Sequence, residues 1–355
     1  MTFFKEALSL AESVKGNVSP RPPVGAVIVK NSKIVGRGRT TSKPIKHAEI
    51  MAMEEAGENC QGSVLYTTLE PCYHHGSTPP CVDSIIKSGI HKVITPLKDP
   101  NPEVNGKSIE KLINSGIEVS TNLNNDEIHQ AEELIEGFKH FLITKKPFVT
   151  VKYAMTLDGK ISSKIGDSTW ISNDQSRKIV HKLRSQSDAV LIGVNTLLVD
   201  NPKLNARYGF SGPKYRVVLD SNYKAPKNSN LFKSPGKILI YSTKVTSQKQ
   251  ISNVEHIKTN SSNEGVDITS VLEDLGKKGC VNILVEGGKD ILGSFFDLKL
   301  VNKVIIFISP KILGGKNAIT AVGGNGYSYI DESPELKKVN ISKIENDIMI
   351  SGYLN

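Results

Sequence analysis

The sequence predicts an α/β protein of two domains, and three observations carry that prediction. Segments rich in β-branched residues alternate with helical segments twice over, once on either side of Lys145-Lys146-Pro147. That alternation is the pattern of strands covered by helices. The junction itself ends a long helical run with two charges and then a proline that cannot continue it. Finally, 355 residues exceed what one hydrophobic core ordinarily supports. The expected domains are residues 1–145 and 146–355.

Each element has a local reason. Met1 to Leu10 reads as an opening amphipathic helix. Gly25–Lys30 and Ile34–Gly38 flank Asn31-Ser32 as a hairpin. His47–Ala56 consists of good helix formers stopped by Gly57, Val64–Leu69 is β-rich and broken by Pro71, and Cys81–Lys87 is a short helix closed by Ser88-Gly89. His91–Thr95 and Ile117–Ser120 read as strands around a helix at Lys107–Asn114, and Asp126–Thr144 closes the domain as a long helix. In the second domain, strands are expected at Phe148–Lys152, Ala189–Ile192, Arg216–Leu219, Lys237–Tyr241, Val281–Val285 and Val304–Ile308. Helices are expected at Asp174–Ser185, Thr269–Lys277 and Asp290–Phe296, with a terminal strand pair at Lys338–Lys343 and Asp347–Tyr353.

Composition narrows the function classes. No apolar run approaches the ~18 residues of a membrane span, and the N-terminus lacks the basic and apolar regions of a secretory signal. A cytoplasmic protein without a membrane partner is expected. The four cysteines, Cys60, Cys72, Cys81 and Cys280, are too few for a disulfide scaffold of this length. Residues 1–146 carry 17 Lys/Arg and 17 Asp/Glu, and the remainder 28 and 19, so the net charge of +9 lies wholly in the second part. A positive field favours anionic ligands. No basic block interleaved with aromatic residues appears, which argues against a nucleic-acid platform.

The chemistry concentrates at His47-Ala-Glu49, Pro71-Cys72 and Cys81. One imidazole and two thiols suit tetrahedral Zn²⁺, and a catalytic zinc keeps a fourth position for water. Zinc lowers the pKa of water it binds toward ~7. Glu49, two residues from a ligand, can then move protons without binding the metal. A closed structural site completed by His74, His75 or Cys60 is the competing arrangement. Zinc nucleobase deaminases share an H-x-E…P-C-x-x-C pattern; here eight residues separate the cysteines instead of two.

In the second domain, Val285-Glu286-Gly287-Gly288 follows an apolar run and precedes a helical one. Glycines at such a turn let backbone N–H groups approach a phosphate. A tight strand-to-helix turn is the simpler explanation, since no G-x-G-x-x-G is present.

Taken together, the sequence resembles the bifunctional riboflavin-biosynthesis deaminase–reductase family over nearly its full length. The residues that carry the resemblance are His47-Ala-Glu49, Thr68-Leu-Glu-Pro-Cys72, His74, Gly76, Thr78-Pro-Pro-Cys81, Asp99-Pro-Asn-Pro102, Thr156-Leu-Asp-Gly159, Gly166-Asp-Ser-Thr-Trp170, Asp200-Asn-Pro202 and Val285-Glu-Gly-Gly288. The long Cys-x₈-Cys spacing belongs to that family. The resemblance implies a cytidine-deaminase-like three-layer α/β/α domain followed by a dihydrofolate-reductase-like α/β domain. It implies zinc on His47, Cys72 and Cys81, with Glu49 as the proton carrier. The implied substrate is a phosphorylated diaminopyrimidinone ribosylamine, first deaminated and then reduced from ribosyl to ribityl with NADPH. The cofactor contacts implied are Ala154, Trp170, Thr196, Asp200, Ser221 and the run Gly288, Lys289, Asp290, Ile291, Leu292, Gly293 and Ser294. Substrate contacts implied are Ser168, Arg184, Leu204, Arg207 and Glu286, the arginines suiting a 5′-phosphate. Lys152 is a candidate proton donor, and assembly of identical chains is implied as well.

Four positions depart from the family pattern: Arg21, Thr40, Ser77 and Ile135. They touch the deaminase pocket and not the zinc chemistry, which keeps a reductase-only enzyme open as an alternative. A nucleic-acid-editing deaminase is a further one.

Overall fold

A computed structural model describes residues 2–73, 79–168, 170–244, 251–262 and 265–354, the side chain of Ser262 apart. The chain forms two compact units, Met1–Lys145 and Lys146–Asn355.

The first unit runs α1 (Phe3–Glu12), β1 (Gly25–Lys30), β2 (Lys33–Arg39), α2 (Ala48–Ala56), β3 (Val64–Thr67), α3 (Cys81–Lys87), β4 (Lys92–Ile94), α4 (Lys107–Asn114), β5 (Glu118–Ser120) and α5 (Asn125–Thr144). Its five strands lie in the order β2-β1-β3-β4-β5, antiparallel through the β1–β2 hairpin and β1–β3, and parallel from β3 to β5. The hairpin turns at Asn31 and Ser32, both in the left-handed region (φ 48° and 58°). Successive residues of β1 face opposite sides: Val27 and Val29 pack with Ala7 of α1, while Ala26 and Ile28 join the cluster that holds Ala48, Ala52 and Ala56 of α2. Those alanines recur at every fourth residue and lie over Gly36 and Gly38 of β2. A Cβ at either glycine would fall inside the backbone of Ala52 or Ala48. This close contact sets the height of the α2 N-terminus, and His47 with it.

The second unit runs β6 (Phe148–Thr156), β7 (Lys160–Ser162), α6 (Asp174–Ser185), β8 (Ala189–Gly193), α7 (Val194–Asp200), β9 (Tyr215–Leu219), β10 (Lys237–Ser242), β11 (Val254–Lys258), β12 (Ser261–Ser262), β13 (Gly265–Val266), α8 (Ile268–Lys277), β14 (Asn282–Glu286), α9 (Lys289–Asp297), β15 (Lys303–Ser309), β16 (Ile319–Thr320), β17 (Lys337–Ile344) and β18 (Asp347–Tyr353). A nine-stranded sheet has the order β11-β10-β9-β8-β14-β6-β15-β18-β17, parallel from β11 to β15 and antiparallel at the β15–β18–β17 edge. Alternate strand residues pack on α8 and α9 from one face, and on α7 and the end of α6 from the other.

Besides the short strands β7, β12, β13 and β16, three elements differ from the sequence expectation. β6 continues beyond Lys152 to Thr156, which carries Ala154 on the same strand. β11 was not foreseen, because Val-Glu-His-Ile-Lys is polar; it is an edge strand paired only with β10. α7 was hidden in an apolar run too short to show a helical period.

Candidate functional site

In the first unit, His47 caps α2 with extended backbone and Cys81 opens α3, while Cys72 lies in the turn after β3. Two helix starts and one turn thus converge. Their three ligand atoms lie within 4.8 Å of one another. His47 Nδ1 is 3.2 Å from Cys81 Sγ and 3.3 Å from Cys72 Sγ, and the Cys81 N–H donates to Cys72 Sγ at 3.2 Å. Tetrahedral Zn–N and Zn–S bonds place such atoms about 3.5 Å apart, so the donor set fits the ion with an outward adjustment of a few tenths of an ångström.

Glu49, in the first turn of α2, is only 4% exposed. Burial first, and then the neighbouring Cys72, push its carboxyl up to about 7, against the opposing effect of His47. The hydrogen bond from Cys81 pulls the Cys72 thiol down to about 4. These donors have the chemistry of a metal site with one carboxyl beside it and outside it.

Glu70, two residues before Cys72, ties that turn to the segment that leads into α4. Its buried carboxylate accepts four backbone N–H groups from one loop: Asp99 at 3.0 Å, Gly106 at 2.8 Å, Ser108 at 3.1 Å and Ile109 at 3.4 Å. The last two lie in the first turn of α4, where a carboxylate satisfies donors that the helix cannot. The Thr68–Cys72 and Asp99–Pro102 motifs are therefore two halves of one clamp.

The positions that depart from the family pattern have local uses. Thr40 is buried; its hydroxyl donates to the Pro22 carbonyl at 3.2 Å and accepts from Val24 N–H at 3.1 Å. Arg21 reaches the Ser42 carbonyl at 3.5 Å. Ile135 is part of the hydrophobic core, on the inward face of α5. Ser77, together with His74, His75, Gly76 and Thr78, lies outside the described residues.

In the second unit, two adjoining cavities of about 470 Å³ each open at the C-terminal ends of the parallel strands and share Asn195, Thr196, Gly288 and Asp290. Such crevices are where open α/β sheets take ligands. The first is lined by Thr196, Ser221, Gly288, Asp290, Ile291 and Ser294. Lys152, Ala154, Ser168, Trp170, Arg184, Asp200, Leu204, Arg207, Glu286 and Lys289 line the second. Leu292 and Gly293 face away: Leu292 is fully buried in the core, and a Cβ on Gly293 would fall inside the backbone of Gly323 and Gly324. One helix cannot turn seven consecutive side chains to the same cleft. Gly287 has φ 153°, and a Cβ there would come within 2.7 Å of Ile291; the turn needs glycine. The next residue, Gly288, donates its N–H to Thr196 Oγ1 at 3.2 Å.

At the base of the second cavity, Arg184 grips Glu286 with two hydrogen bonds, Nε to Oε1 at 2.6 Å and Nη2 to Oε2 at 2.9 Å, and Lys152 Nζ stands 3.9 Å from Oε2. Burial disfavours the charged Glu286, yet the adjacent guanidinium outweighs it and holds the carboxyl down to about 2. Burial lowers the Lys152 pKa, only partly offset by Glu286. With Nη1 on the Asn205 carbonyl at 3.2 Å, Arg184 has each guanidinium nitrogen engaged. Ser168 donates to Asp200 at 2.8 Å, and Trp170, held at φ 58°, lies under Arg177, whose guanidinium carbon is 3.9 Å from the ring centroid. Sequence reasoning missed His181 and Asn195 on these walls. The spacing of His181 and Arg184, three residues apart on a helix, was the signal that could have found His181.

Comparison with known proteins follows the same division. Residues 1–96 match the cytidine and deoxycytidylate deaminase zinc-binding region, and residues 147–350 match the RibD C-terminal domain. The chain belongs to the RibD family. Riboflavin biosynthesis protein RibD of Aquifex aeolicus is 38% identical over 353 residues, covering 98% of this chain and 96% of that protein. The solved structure of a Thermotoga maritima diaminohydroxyphosphoribosylaminopyrimidine deaminase/5-amino-6-(5-phosphoribosylamino)uracil reductase is 35% identical, covers 99% of this chain and 98% of its own, and superimposes with a TM-score of 0.86. Acinetobacter baumannii RibD gives 29% identity, the same coverages and a TM-score of 0.83. The zinc-binding region contains His47, Cys72 and Cys81. Among the described residues no helix is long and apolar enough to cross a membrane.

Proposed function

We propose that this chain catalyses two consecutive steps of riboflavin biosynthesis: hydrolytic deamination of 2,5-diamino-6-ribosylamino-4(3H)-pyrimidinone 5′-phosphate in residues 1–145, and NADPH-dependent reduction of the resulting ribosyl group to ribityl in residues 146–355. The observation that supports it most is the convergence of His47, Cys72 and Cys81 beside the buried Glu49, in a chain related to RibD over almost its whole length.

In the first step, His47, Cys72 and Cys81 would hold a zinc ion, which when bound would supply the Lewis acidity that makes water a nucleophile near neutral pH. Glu49 would take a proton from the attacking water as the new C–O bond forms, and return one to the amino group that leaves as ammonia. The carboxyl can do this because it is shut off from bulk solvent two residues from the ligand His47 and is not itself in the ligand cluster. Glu70 holds the turn that carries Cys72.

In the second step, NADPH when bound would supply a hydride to C1′ of the opened sugar. The cavity lined by Thr196, Ser221, Asp290 and Ser294 is the proposed cofactor seat, and the adjoining one takes the pyrimidine. Lys152, buried next to Glu286, delivers the proton that balances the hydride. Because Arg184 is engaged by Glu286 and Asn205, Arg207 is the guanidinium that meets the 5′-phosphate. The family also implies assembly of identical chains, which light scattering on the purified protein measures.

The test supplies the diaminopyrimidinone with and without NADPH, and follows ammonia and the absorbance of the reduced nicotinamide. Ammonia without NADPH, followed by NADPH consumption, is expected. Thr40 and Ile135, turned to backbone and core, favour the second reading of a reductase-only enzyme; zinc-loaded protein that releases no ammonia but oxidises NADPH with the deaminated substrate would establish that reading instead.

A further inference from the structure

His181 has no role in the steps above, yet it lines the cleft between Arg184 and Arg207. It lies on α6 one turn before Arg184, so the two side chains share a helix face. Both donate to one acceptor, the Asn205 carbonyl, His181 Nδ1 at 3.1 Å and Arg184 Nη1 at 3.2 Å. Leu204, just before it, is held in the left-handed region (φ 51°), which a leucine adopts only under constraint. The carbonyl is therefore a fixed point.

A carbonyl oxygen can only accept, so the ring proton of His181 is on Nδ1. Burial, and then the positive charges of Arg184 and Arg207, hold the imidazole down to about 4. At neutral pH the ring is uncharged and Nε2 presents a lone pair. Nε2 has no hydrogen-bond partner among the described residues, and it is not one of the buried polar atoms left without one. His181 lines the cleft and is only 6% exposed, so Nε2 is the ring nitrogen left to a ligand there. Tyr208 stands edge-on to the ring, centroids 5.3 Å apart, which fixes its plane.

We propose that His181 is a positioning residue of the reductase pocket whose Nε2 accepts a hydrogen bond from an N–H or O–H of the pyrimidine ribosylamine. Arg207 can only donate, so a phosphate oxygen suits it and is repelled by Nε2. The pair of surfaces orients the ligand, its anionic end toward Arg207 and a donor edge toward His181. This inference rests on the reductase reading above.

The test compares His181→Phe and His181→Gln in the full-length protein, with NADPH and 5-amino-6-(5-phosphoribosylamino)uracil. Loss of a hydrogen bond from a buried donor raises KM for the pyrimidine by roughly 10- to 100-fold in the Phe variant. The NADPH dissociation constant and melting temperature stay at wild-type values, and Gln, whose amide oxygen also accepts, recovers most of the loss. An unchanged KM in the Phe variant overturns the inference. So does a KM rise that Gln shares fully and that comes with a lower melting temperature. Wild-type protein that fails to oxidise NADPH removes the reductase reading and this inference together; wild-type turnover with an unaffected Phe variant removes the inference alone.

Discussion

Replacing Glu286 by Gln tests the charge balance at the base of the second unit. The carboxylate is flanked by Arg184 at 2.6 and 2.9 Å and by Lys152 at 3.9 Å, all three side chains at most 14% exposed. Its pKa falls from 4.5 to about 2 on folding. At 1.36 kcal/mol per pH unit that drop corresponds to about 3 kcal/mol of stability. Because the folded value is the lower one, the contribution is fully present above about pH 5 and is lost as the pH falls toward 2, with roughly half remaining near pH 3. Glu286→Gln leaves two buried cations without their counter-charge, so a loss of about 3–5 kcal/mol is expected at pH 7. The chain has one tryptophan, Trp170, and it belongs to the second unit. Urea unfolding followed by its fluorescence therefore reports this unit separately from the first. A loss below about 1 kcal/mol, or one of equal size at pH 3 and pH 7, would refute the assignment of an ionised, stabilising carboxylate.

Glu49→Gln is expected to keep full zinc content by metal analysis while slowing ammonia release at least ~100-fold; equal loss of metal would make Glu49 a structural residue. Cys72→Ser and Cys81→Ser should each lose zinc and ammonia release together, with NADPH oxidation of the deaminated substrate retained. Glu70→Ala leaves four backbone N–H groups without their carboxylate. It should destabilise the first unit by roughly 3 kcal/mol and weaken zinc affinity ~10-fold or more, read by thermal melting and chelator competition. Gly293→Val drives a side chain into the Gly323–Gly324 backbone, so NADPH binding measured by calorimetry should weaken even though this position does not line the cleft.

The sequence by itself determined the two α/β alternations, the break near Lys145 and the gathering of metal-ligand residue types at His47, Cys72 and Cys81. These are local properties: strand and helix periods repeat over a few residues, and thiols with an imidazole have few other uses in such a pattern. What it left open needed contacts between distant segments. Glu70 looks like one acid before a proline until the fold brings residues 99–109 onto it. Arg184 suits a phosphate by type, but the structure joins it to Glu286, 102 positions away. His181 gains its tautomer from a carbonyl of the loop after α7, and Ile135 becomes core because its side of α5 turns inward. Residue type limits which chemistry is available. Which partner each group meets, and so whether it binds, carries a proton or merely holds a loop, is decided by long-range packing that no local pattern records.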